Sequence, residues 1–156
     1  KIIIGRVQGK AVGGGVGIAS AVDYCFATKF ASVKLSELAV GIGPFVVGPA
    51  VERKTGASAF NTMTINATKW FDANWAREKG IYSEVFEDTE SMDLEVNKLA
   101  SKLSLSNPEA MQELKKIMWE GTENWSELLH KRAQTSGKLI LSEFSKNSIN
   151  KFKNNK

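Results

Sequence analysis

Ala11-Val12-Gly13-Gly14-Gly15-Val16-Gly17-Ile18-Ala19-Ser20-Ala21-Val22-Asp23 is the stretch that decides the fold. A glycine-rich turn at residues 9–17 follows an apolar run at residues 1–8, read as a buried strand, and leads into a small-residue segment at 16–21, read as a helix that packs closely. Residues 22–27 (VDYCFA) and 32–35 (SVKL) read as two further strands. Strands alternating with a helix make a layered α/β core. Three consecutive glycines free the backbone, and the amides that open the following helix point outward. Such a corner suits a phosphate, a carboxylate or a developing oxyanion, or simply close packing. Two nucleotide motifs fail on inspection. The dinucleotide fingerprint needs a third glycine or alanine where Ile18 or Ser20 stands. The phosphate-loop pattern needs four residues between its glycines and a hydroxyl after the lysine. Gly5-Arg6-Val7-Gln8-Gly9-Lys10-Ala11 offers three and an alanine.

The totals narrow the classes. The sequence has 156 residues, 42% of them hydrophobic and 24% charged, which is enough for a core of its own. No apolar stretch approaches the ~20 residues of a membrane span, so no membrane partner is expected. A net charge of +4 without interleaved aromatics argues against nucleic acid. The single cysteine, Cys25, sits in an apolar run and reads as a buried small hydrophobe, which fits a cytoplasmic location. The single histidine, His130, lies beside Lys131 and Arg132 and reads as solvated, so no histidine-built metal site or catalytic triad is expected. The last residues, from Phe144 to Lys156, carry four lysines and no acid and read as a solvated tail.

Further along, Pro44 reads as the first turn of a helix running to about Lys54, with Gly56 ending it. Ser58 caps a helix to about Ile65, and Asp72 caps one to about Lys79, stopped by Gly80. Residues 81–86 form a short strand. Beyond them, helices are expected over about 89–104, 107–119 and 124–143, the second opened by Asn107-Pro108. Leu99, Leu103, Met111, Leu114, Ile117 and Met118 recur at helical spacing and read as core stripes. The chain therefore divides into an α/β part, 1–86, and a helical part, 87–156.

One carboxylate stands out. Glu37 follows the 32–35 strand, 23 residues after Gly14, and precedes Gly41-Ile42-Gly43-Pro44. A carboxyl group at a strand end among Phe45, Val46 and Val47 would be pushed toward neutrality and serve as a general acid/base.

The order A-V-G-G-G-V-G, V-D-Y-C-F-A, F-A-S-V-K-L-S-E and G-I-G-P, followed by Trp75-Ala76 to Gly80-Ile81 and Val85, resembles the crotonase superfamily of enoyl-CoA hydratases and isomerases. The resemblance covers residues 1–86, with a weaker helical continuation. It implies a partial crotonase-like ββα spiral core followed by a C-terminal helical trimerisation region, in a trimer or dimer of trimers (a hexamer). It places an oxyanion amide on Gly14 and the acid/base on Glu37. Gly13, Gly15, Pro44 and Phe45 would line the substrate, and Asp23 would be structural. The substrate is an acyl-CoA thioester, with coenzyme A as part of it and no separate cofactor or metal. The wording S-E-L-A-V-G-I-G-P-F-V-V is closest to methylglutaconyl-CoA hydratase-like members.

Gly17 departs from the pattern: two-glutamate hydratases carry a carboxylate there. One glutamate and an oxyanion hole suffice to move a proton beside a thioester, each oxyanion donor being worth ~2.7–4 kcal/mol. The expected activity is hydration of an enoyl-CoA, with a Δ3,Δ2-enoyl-CoA isomerase as the alternative and a non-catalytic thioester-binding protein as a third reading. The family's first oxyanion amide lies further upstream than the 12 residues that precede Gly13 here. The resemblance thus makes the chain the C-terminal portion of a protein of roughly 260 residues. The family's closing aromatic-basic pattern survives as Glu143-Phe144 and Phe152.

Overall fold

The computed structural model describes residues 1–154; the side chains of Phe152 and Asn154, together with Asn155 and Lys156, lie outside what it describes. Two small sheets form the centre. Strands β1 (Ile4–Val7), β3 (Tyr24–Thr28) and β6 (Glu84–Phe86) make a parallel sheet in the order β1-β3-β6, with Gly5 opposite Cys25 and Ala27 opposite Val85. In the second sheet, β2 (Lys10–Val12) pairs in parallel with β4 (Ser32–Lys34), and β4 pairs antiparallel with β5 (Phe71–Asp72). Helix α1 (Gly14–Ala21) crosses from one sheet to the other. Val16, Cys25, Val33, Leu35, Val51, Met63 and Ile81 meet in one buried core, so the α/β expectation holds. Cys25 is fully enclosed and His130 is exposed, both as read from the sequence.

Several elements shift for identifiable reasons. Helix α1 starts at Gly14 rather than Val16, because Gly13 at φ 52° turns the chain in one residue and lets the next glycines join the helix. Residues 10–12, expected as turn, become β2 because β4 offers them a ladder. Strand β1 is half-buried rather than buried. Pro44 is buried in the turn before α2 (Gly48–Ile65), and Pro49 takes the proline position of the first helical turn. Gly56, at φ 74°, interrupts α2 where the sequence places a helix end. Asp72 caps α3 (Ala73–Glu78) by accepting from the Trp75 amide at 2.8 Å.

The helical part contains α4 (Thr89–Ser104), α5 (Pro108–Met118), α6 (Trp125–Ile140) and α7 (Glu143–Asn154). The expected helix 124–143 ends early at Ile140, and a new helix begins at Glu143. Ser142 Oγ accepts from the Ser145 amide at this joint. The tail read as solvated keeps Lys146, Lys151 and Lys153 exposed, but it is helical up to Asn154 and anchored at its start: Ser145 is buried, and the Ser145 hydroxyl donates to Leu139 O at 2.9 Å. The stripe read as core is not core within this chain. Leu114 and Ile117 are 51% and 62% exposed, and Leu99, Leu103, Met111 and Met118 are half-buried. One polar cluster anchors α5 to the α/β part. The Asp23 carboxylate accepts from Lys115 Nζ at 2.6 Å, from Trp119 Nε1 at 3.1 Å and from the Ile3 amide at 2.7 Å.

Candidate active site

The glycine corner is pinned to β4 by the Gly13 amide, which donates to Lys34 O at 2.9 Å. Val16 and Gly17 amides donate to Gly13 O at 3.0 and 3.1 Å, closing the first turn of α1. The Gly14 and Gly15 amides, the first two of the helix, find no acceptor among the described residues, and both glycines are exposed. A helix start with free N–H groups attracts negative charge.

Three residues past the end of β4, Glu37 opens a short 3-10 turn (Glu37–Val40). The side chain folds back against the corner. A methyl group added at Gly13 would come 2.8 Å from Glu37 Oε1, and the backbone there, at φ 52°, favours glycine. Glu37 Oε2 is enclosed and has no hydrogen-bond donor among the described residues. Burial pushes this carboxyl above the ordinary carboxylate range, against a weaker downward pull from its own backbone amide. Glu37, Gly43, Pro44, Phe45 and Val47 line a cavity of about 180 Å³. Pro44 and Phe45 thus stand beside the carboxyl group, Gly13 abuts it, and Gly14 presents the amide. Gly15 sits on the same corner, facing Ala11.

Gly17 faces α2. A Cβ there would lie 2.7 Å from Val47 Cγ1, so the valine occupies the space a longer side chain would need. Gly14, Gly17, Val46, Val47, Trp119 and Trp125 line a second cavity of about 370 Å³. A third, of about 530 Å³, shares Gly43, Pro44 and Phe45 with the Glu37 cavity and extends to Phe60, Arg132 and Phe144. Trp119, Trp125 and Arg132 had no signal in the sequence: each lies on a helix whose pattern says only that one face is apolar.

A carboxyl group with a raised pKa beside unpaired helix amides is equipped for proton transfer next to a carbonyl, the amides receiving the negative charge that develops on oxygen. Residues 1–156 match the family described as Enoyl-CoA hydratase/isomerase.

The chain belongs to the enoyl-CoA hydratase/isomerase family.

Within this enoyl-CoA hydratase/isomerase family, the chain is 30% identical over 121 residues to the mitochondrial Delta(3,5)-Delta(2,4)-dienoyl-CoA isomerase of Mus musculus, covering 72% of this chain and 35% of that one. It is 33% identical over 117 residues to the bacillaene synthase dehydratase PksH of Bacillus subtilis, covering 75% and 44%. The chain thus spans under half the length of these curated relatives. The crystal structure of an enoyl-CoA hydratase/isomerase from Pseudoalteromonas atlantica T6c superposes with a TM-score of 0.90 at 22% identity, over all of this chain and 63% of that one. This likeness confirms the fold expected from the glycine corner and the strands around it.

Proposed function

We propose that the whole protein is an acyl-thioester hydro-lyase, in which Glu37 moves the proton at the α-carbon of an enoyl thioester and water adds at, or leaves from, the β-carbon. The observation that carries the reading is the apposition of the Glu37 carboxyl with the Gly13 corner, next to the free Gly14 amide. The thioester oxygen is received by Gly14, the α-carbon faces Glu37, and the acyl chain runs along Pro44 and Phe45. The dehydratase among the relatives carries out chemistry of this type by its name. The wording around Glu37 supports a branched, glutaconyl-type acyl group.

A second reading, double-bond isomerisation, has its own support. Val47 fills the place at Gly17 where a second carboxylate would hold water, and one relative is a dienoyl-CoA isomerase. Oligomerisation through the helical part is also proposed, supported by Leu114 and Ile117, which this chain leaves uncovered.

The test is turnover of enoyl-CoA thioesters by the whole protein in heavy-oxygen water, read by mass. Heavy oxygen at the β-carbon establishes hydration. A moved double bond without added oxygen means isomerisation, and binding without any change in the thioester means a non-catalytic protein.

A further inference from the structure

Adding water to a double bond needs a group that holds the water, and Glu37 is the one carboxylate on the wall of its cavity of about 180 Å³. Residues 42–47 make the apolar part of that wall, and Val47 takes the space beside Gly17. One other polar side chain lines the cavity: Ser136, from the C-terminal half of α6. A hydroxyl in a helix can bond back to the carbonyl four residues earlier. Thr135 does so, donating to Lys131 O at 3.2 Å. Ser136, the next residue, is half-buried and makes no side-chain hydrogen bond among the described residues. On the same cavity, Glu37 Oε2 is enclosed without a donor among the described residues. A carboxylate oxygen accepts, and a hydroxyl both donates and accepts. Two such groups on an apolar wall suit a small molecule that does both. Water is that molecule, and at ~30 Å³ each it fits the cavity beside the reacting carbons.

We propose that Ser136 is a further catalytic residue, which holds the reacting water against Glu37 and takes the part of the carboxylate that Gly17 lacks. The inference rests on the hydro-lyase reading above and deepens it by naming the second group of that site. In the hydration direction, the Ser136 hydroxyl and the Glu37 carboxylate bind one water between them. One O–H bond of the water breaks, its proton passes to Glu37, and its oxygen bonds to the β-carbon. The π electrons of the double bond move toward the thioester oxygen, giving the enolate that the Gly14 amide receives. Glu37 then passes the proton to the α-carbon, and the thioester carbonyl re-forms. Both side chains end as they began, and dehydration runs the same steps in reverse.

The test compares two reactions of the whole protein, both read by mass. Hydration of an enoyl-CoA in heavy-oxygen water needs the held water. Exchange of an α-hydrogen of the saturated acyl-CoA in deuterium oxide needs Glu37 but no water at the β-carbon. Ser136→Ala should lower hydration about 10- to 100-fold and leave α-exchange within about twofold. Ser136→Thr, which keeps a hydroxyl, should retain most of the hydration. Alanine suits a helix better than serine, so the first variant should fold. Unchanged hydration in Ser136→Ala would overturn the inference alone. Equal loss of both reactions would also overturn it, by making Ser136 a structural residue. A parent protein that incorporates no heavy oxygen would overturn the hydro-lyase reading and this inference with it.

Discussion

Glu37 Oε1 occupies the space that a side chain at Gly13 would need: a Cβ built there would stand 2.8 Å from the oxygen. The Glu37 carboxyl group and the glycine corner therefore depend on each other, although 23 residues separate Glu37 from Gly14. Gly13→Ala should cost stability twice, through a positive φ of 52° unfavourable for alanine by ~1–2 kcal/mol and through the displaced carboxyl group. Urea unfolding should show the loss. An unchanged midpoint would mean that Glu37 swings clear without cost.

Glu37→Gln keeps the shape of the side chain and removes its proton chemistry. Turnover should fall by a factor of about 10²–10⁴, while a saturated thioester still binds. Steady-state kinetics beside calorimetric titration separates the two effects. Near-normal turnover in this variant would remove Glu37 from the mechanism.

The raised carboxyl pKa has a definite sign for stability. The folded protein holds the Glu37 proton to higher pH than the unfolded chain does, so this group's contribution falls as pH rises from the unfolded value to the folded one. At neutral pH the enclosed charge is a cost. Glu37→Gln should accordingly be more stable than the parent at pH 7, and the advantage should vanish below about pH 4, where the unfolded carboxyl is protonated too. Denaturant midpoints at the two pH values check this.

Gly17 and Val47 are coupled by contact. Gly17→Ala should destabilise by about 1–3 kcal/mol, because its methyl group meets Val47 Cγ1 at 2.7 Å. Adding Val47→Ala should recover much of that loss, since the second change clears the space. A double-mutant cycle on thermal unfolding gives the coupling directly. Strict additivity would mean that α2 moves as a body instead.

Asp23 makes the opposite kind of site. Burial alone would raise its pKa, but hydrogen bonds from Lys115, the Ile3 amide and Trp119 outweigh burial and hold the carboxyl below its usual value. Its stabilising contribution is present above the unfolded pKa and is lost as pH falls through the folded one. The Asp23 side chain is 2% exposed and that of Lys115 23%, so Lys115→Met should cost about 3 kcal/mol by leaving the carboxylate without its cation. Hydrogen exchange in α5 should rise with it, because this cluster joins α5 to the β1–β3 sheet. Equal protection in parent and variant would show that α5 is held by other contacts.

The sequence by itself determined the alternation of strands and helices, the glycine corner, the Asp72 and Asn107 caps and the candidacy of Glu37. Those features are local: glycine permits a positive φ, a cap needs its own side chain, and a carboxyl group after a strand is visible without knowing the fold. Tertiary structure alone decided that the Glu37 carboxyl abuts Gly13, that Val47 fills the space at Gly17, and that Arg132 shares a cavity with Phe45 and Phe144. It also split the helix expected over 124–143 and left Leu114 exposed. Helical periodicity identifies an apolar face without saying what covers it, and a contact between residues far apart in the chain leaves no trace in the local pattern of either.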